Sequence, residues 1–132
     1  MKMFKKTLSI ILAVIMLLGC TSVMVFAAED DVTLSLRIEG ITECLYYGDV
    51  TVESGATALD VIKTADANDD SLTVIAVDSE YGAYIVSING ITAGTYTTMM
   101  WDGWSFMVDD VAPSVGVSAF IVADGNEIVM YY

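Results

Sequence analysis

Ala123-Asp-Gly-Asn-Glu-Ile-Val-Met-Tyr-Tyr132 is the stretch on which the reading of this fold turns. Ala123 to Asn126 carries turn residues in turn order, and the run that follows predicts a strand from Glu127 to Tyr132. Ile128, Met130 and Tyr132 then share one face, because successive strand side chains point to opposite sides. That strand is expected to close the domain, and deleting it to unfold the domain. Just upstream, Trp104-Ser-Phe-Met-Val108 alternates in the same way and puts Trp104, Phe106 and Val108 on one side.

Further back, Val32, Leu34, Leu36 and Ile38 alternate with Thr33, Ser35, Arg37 and Glu39, predicting a strand with one buried face that ends at Gly40. Thr42 to Gly48 and Val50 to Val52 read as two short extended pieces, with Gly48-Asp49 as the break. One helix follows. Thr57 caps it, Asp60 completes a capping-box pattern, and Ala58, Leu59, Ile62 and Ala65 form an apolar stripe suited to packing on a sheet. Leu72 to Val77 and Ala83 to Ile88 are β-prone runs. Asn89-Gly90 predicts a tight turn with positive φ at both positions, and Thr92 to Met100 reads as a loop. The helix dissolves in Asp66-Ala-Asn-Asp-Asp-Ser71, where Asp66, Asn68 and Asp70 match positions 1, 3 and 5 of a calcium loop. The match fails where glycine and glutamate are required, at Ser71 and Val77, so a solvated loop is expected and no metal site.

Residues 1–27 have the pattern of a secretory signal: Lys2, Lys5 and Lys6, then the apolar run Ile10 to Leu18, then Val25-Phe-Ala-Ala28 as a cleavage site. A retained membrane anchor is the rival, since the apolar stretch can be extended to Phe26. Leu17-Leu-Gly-Cys20 also resembles a lipobox, and lipidation of Cys20 is the one route by which the membrane would be a partner. Either way the protein is expected outside the cytoplasm: extracellular, secreted, or lipid-anchored at the cell surface. The mature domain is 28–132, one domain without repeats. It retains two basic residues, Arg37 and Lys63, against 18 acidic ones, a formal charge of −16. That balance excludes nucleic acid, whose phosphates need Lys and Arg, and disfavours anionic membranes. After cleavage Cys44 is the one cysteine, so no internal disulfide forms. It is expected as a small buried hydrophobe, with an intermolecular disulfide the alternative. About 105 residues can bury a core without staples.

The order of these elements resembles a known family. Thr57-Ala-Leu-Asp-Val-Ile62, Tyr84-Ile-Val-Ser-Ile-Asn-Gly-Ile91, Gly103-Trp-Ser-Phe-Met-Val-Asp109, Val115-Gly-Val117 and Asp124 to Tyr132 together look like the transcobalamin-like C-terminal domain. That resemblance implies an α+β fold, a small β-grasp-like mixed sheet with one packed helix. In the vertebrate vitamin B12 carriers the similar domain covers one side of the corrinoid and a separate helical barrel, for which this chain has no room, holds the other. Many relatives have Val-Asn-Gly where this chain has Val108-Asp-Asp110. The ligand-facing edge of those carriers matches Trp104 and Gly116-Val117, which makes these residues candidates here. A corrinoid is accordingly a possible ligand; no covalently bound cofactor is expected.

The chain contains no histidine, the usual base, metal ligand and nucleophile activator near neutral pH, and no enzyme is expected. Recognition chemistry is better represented. Tyr81, Tyr84, Tyr96, Trp101 and Trp104 gather around loops with Met99 and Met100, and flat side chains with polar tips suit sugars, corrin-like planes or protein surfaces. Tyr96 and Trp101, in a polar loop, are expected to be exposed, and Phe106 and Phe120 to be core. The reading is a secreted non-catalytic binding domain for a corrinoid or other small ligand. The alternative is a cell-surface adhesion module for protein or glycan.

Overall fold

The computed structural model describes residues 30–96 and 102–132. Residues 1–27, expected as the export signal and including Cys20, lie outside the described residues, as do Met99, Met100 and Trp101. The elements run β1 (Val32–Glu39), β2 (Cys44–Val52), α1 (Ala58–Asn68), β3 (Val74–Val77), β4 (Tyr84–Ile88), β5 (Ile91–Thr92), β6 (Ser105–Val108) and β7 (Glu127–Tyr131). They build a small α+β fold: a four-stranded mixed sheet ordered β2-β1-β7-β6, a three-stranded sheet ordered β3-β4-β5, and one helix among the described residues. That helix, at 11 residues, is too short to cross a membrane, and no helix among the described residues is long and apolar enough to do so.

The last strand sits inside the larger sheet. β7 pairs parallel with β1, Leu36 opposite Ile128 and Ile38 opposite Met130, and antiparallel with β6 on its other side. Both rows of its backbone groups are therefore taken up by neighbours. Leu36, Ile38 and Ile128 are fully buried and Met130 nearly so, each worth about 1.5–3 kcal/mol of apolar burial. The Ala123–Asn126 turn delivers β7 into that slot. Asp124 Oδ1 accepts from Thr33 N (2.8 Å), and Gly125 N donates to Thr33 O (2.9 Å) with Gly125 at φ 78°.

The helix forms where expected. Thr57 Oγ1 accepts from Asp60 N (3.2 Å) while Asp60 Oδ2 accepts from Thr57 N (2.8 Å), the reciprocal capping box. The bond from Thr57 N, then that from the Thr57 hydroxyl, holds the Asp60 carboxyl below the ordinary carboxylate range. Ala58, Leu59, Ile62 and Ala65 are buried as the stripe predicts, and Val61 joins them. The helix runs on to Asn68, into the acidic stretch. There Asp66 Oδ1 accepts from Val74 N (3.2 Å), and Asp69 Oδ1 accepts from Ser71 N and Oγ (2.9 and 2.6 Å), so two of these acids tie down the helix exit. Asn89 and Gly90 both have positive φ, 48° and 81°, in the β4–β5 hairpin.

Two expectations are corrected. The break at Gly48-Asp49 does not exist: β2 is continuous, with Gly48 opposite Leu36. The ring of Tyr46 lies over Gly48, its Oη 3.2 Å from where a Cβ would stand, and fills the space a side chain would take. Cys44 is exposed rather than buried. It opens β2 at an irregularity in the β1–β2 register, and its Sγ donates to Tyr46 O (3.2 Å).

Candidate functional site

A groove of about 670 Å³ opens between four segments of the chain. The tip before β4 with the first two residues of that strand (Ser79 to Ile85) forms one wall and the loop from Ala112 to Ser118 the other. Phe106 and Met130 supply lining from the larger sheet, and Trp104 from the residue just before β6.

The loop wall is held by the start of the helix. The first amide groups of a helix have no partner inside it. Here Ala58 N donates to Phe120 O and Leu59 N to Val117 O, both at 2.9 Å. Val122 N donates to Ala56 O (3.0 Å), and Thr57 bridges Ile121. The helix N-terminus thus fixes Val117, which is buried, and Gly116 beside it, which is exposed. A Cβ on Gly116 would meet no protein atom within 4 Å, so the space next to it is open.

The opposite wall is a tight loop. Ser79 N donates to Gly82 O (3.2 Å), Gly82 N to Ser79 O (3.1 Å), and Tyr81 N to Ser79 Oγ (3.1 Å). Gly82 has φ 101°, and a Cβ there would lie 2.7 Å from Ser118 Oγ, so the two walls meet at this point. Tyr81 stands 91% exposed at the tip and Tyr84 is half exposed, both lining the groove.

Trp104 is fixed at its polar end by Nε1 donating to Ile91 O (2.9 Å) and on its flank by Tyr132, edge-to-face at 5.4 Å. Phe106 lies edge-on to Phe120 at 6.2 Å. Phe106 is core, as expected, and also part of the groove lining; Phe120 is half-buried against the core.

Of the sequence candidates, Trp104, Gly116 and Val117 come together on this groove, and Trp101 lies outside the described residues. Tyr96 does not line it. Exposed as expected, it borders a smaller hollow of about 360 Å³ with Ile41, Leu45 and Ile91, and its ring meets Tyr132 edge-to-face at 5.4 Å. Tyr132 therefore contacts both Tyr96 and Trp104. Its hydroxyl donates to Asp102 Oδ2 (2.6 Å), with Thr92 O at 3.0 Å a second acceptor; the same Asp102 oxygen accepts from Tyr96 N (2.8 Å). Burial, then that bond to Asp102, pushes the Tyr132 phenol above its ordinary value. Met130, Tyr131, Ser118 and Pro113 also line the groove, and no local pattern in the sequence signals them.

The groove offers aromatic faces and hydroxyls, and none of its lining residues is Asp, Glu, Lys or Arg. A second hollow, of about 690 Å³, lies where β2 passes into α1 and is lined by Asp31, Glu53 and Asp60 among others. Asp60 there is already engaged by Thr57. Among the described residues no three His, Cys, Asp or Glu side chains gather as a metal site would need.

Comparison with known proteins fits this geometry. Residues 55–132 match the family model described as a domain of unknown function, DUF4430. The chain belongs to the DUF4430 family. The matched span of this DUF4430 chain contains the helix, both groove walls and the last strand. Its fold is similar to that of haptocorrin, solved in complex with Cbi, with a TM-score of 0.63 and 23% identity over 84% of this chain. The likeness covers 28% of the haptocorrin chain, so the DUF4430 chain spans well under half of that protein's length. It is also similar to a protein of Ruminococcus gnavus ATCC 29149 described as a candidate metal-binding protein, with a TM-score of 0.52, 13% identity, and coverage of 76% of this chain and 94% of that one. No curated protein matches the DUF4430 chain in sequence. The transcobalamin-like resemblance holds at the level of the fold.

Proposed function

We propose that this chain is a secreted, non-catalytic binding module that takes a flat small ligand of the corrinoid class in the groove between Trp104 and Gly116-Val117. The observation that carries the reading is the groove itself. Its volume of about 670 Å³ lies in the range of small-molecule sites, and its lining is aromatic and hydroxylated without a charge. The similar fold of haptocorrin in complex with Cbi, a corrinoid, supports the ligand class. The absence of histidine and the neutral lining favour recognition over turnover. In this reading 1–27 is the cleaved export signal, 28–132 is the working domain, and the groove covers one side of the ligand.

A second reading, adhesion to protein or glycan, is favoured by one observation: Tyr81 and Tyr47 are 91% and 76% exposed. One experiment separates the two. The purified domain is titrated with a panel of corrinoids and glycans, followed by tryptophan fluorescence and corrinoid absorbance. Saturable corrinoid binding that Trp104→Ala removes is expected. Silence toward corrinoids at millimolar concentration, with glycan binding retained, would replace the first reading by the second.

A further inference from the structure

We propose that the groove selects a positively charged planar ligand over a negatively charged one of the same shape; this rests on the groove being the ligand site. The lining supplies no cation to pair with a carboxylate or phosphate: Arg37 and Lys63, the two basic residues after the signal segment, both lie outside it. Arg37 is moreover engaged with Glu39 at 3.3 Å. The lining supplies no anion either, so discrimination comes from two other sources. Eighteen acidic residues against those two bases give the chain after the signal segment a strong negative charge, whose field draws cations and repels anions. Glu80 lies in the chain between two lining residues, Ser79 and Tyr81, so part of that field originates at the rim. The faces of Tyr81, Tyr84 and Trp104 carry the negative side of their ring quadrupoles and add short-range attraction for a flat cation. Among the lining side chains, an anion finds no free donor other than hydroxyls.

The test uses one tricyclic scaffold in two charge states, N-methylacridinium and acridine-9-carboxylate, titrated into the whole chain and read by their fluorescence polarisation. At low salt the cation is expected to bind at least about tenfold more tightly, and at about 1 M salt the ratio should fall as the field is screened, to the part that the ring faces supply. Tyr81→Ala, a change at an exposed tip, is expected to weaken cation binding severalfold without altering the fold. Equal affinities at low salt would overturn the selectivity and leave the groove as a ligand site. Cation binding untouched by both Tyr81→Ala and Trp104→Ala would move the attraction to the acidic surface and overturn the proposal. Failure of both dyes to bind at millimolar concentration would overturn the selectivity, and with corrinoid binding also absent it would sink the site as well.

Discussion

Ile128→Ala is expected to cost the domain about 3–4 kcal/mol. Ile128 is fully buried, opposite Leu36 in the parallel ladder and opposite Val108 in the antiparallel one. Truncation to alanine removes three carbons, about 2.5 kcal/mol of transfer free energy at roughly 0.8 per methylene, and the residual cavity adds about 1. A domain of this size commands about 5–15 kcal/mol in total, so the variant should remain folded and measurable. Urea denaturation followed by tryptophan fluorescence should show the midpoint falling by about 2 M at an unchanged slope of about 1.5 kcal/mol/M. Ile121→Ala is the internal control, the same deletion at a side chain that is 57% exposed, and should cost less than about 1 kcal/mol. Equal losses for the two variants would contradict the placement of β7 at the centre of the sheet.

Three further outcomes follow from particular contacts. Asp109 and Asp110 make a two-residue turn with φ 50° and 66°, closed by reciprocal bonds between Val108 and Val111, so Asp110→Gly should raise stability by about 0.5–1 kcal/mol in thermal melts. Because Asp60 is held below its ordinary value of 3.8 by Thr57, its contribution is complete above that value and is lost as pH falls through the lower folded one. Asp60→Asn should therefore flatten the acid limb of the stability profile, and an unchanged limb in urea midpoints measured toward about pH 2 would count against the linkage. Gly82→Ala places a Cβ 2.7 Å from Ser118 Oγ at φ 101°, and should cost about 1–3 kcal/mol in the same denaturation assay while weakening ligand binding by forcing the groove walls apart.

Local chemistry was readable from the sequence wherever it was self-contained. The β1 alternation, the Thr57–Asp60 box and the Asn89-Gly90 turn each satisfy their requirements within a few residues. Gly48 misled because its covering group, Tyr46, acts through ring position rather than sequence type. Cys44 misled because cysteine's usual burial says nothing about a strand end at an irregular register. The parallel pairing of β1 with β7 spans most of the chain and leaves no local trace; the resemblance implied a mixed sheet without saying which strands pair. The site divides in the same way. Trp104 and Gly116-Val117 converge because the helix amides of Ala58 and Leu59 hold the loop, an arrangement that no spacing rule contains. Tyr96 has the right chemistry but lines a different hollow, and reaches Trp104 only through their shared contact with Tyr132. Tyr81 and Tyr84 belonged to the aromatic set on composition alone, and the Gly82–Ser118 contact is what makes them a wall.

The most direct test of the groove is an amide chemical-shift map of the labelled domain during titration with cobinamide. Shifts should concentrate at Ser79 to Ile85, Trp104 to Phe106, Ala112 to Ser118 and Met130-Tyr131. Shifts confined to the hollow of Asp31, Glu53 and Asp60, or no shifts at millimolar cobinamide, would contradict the account.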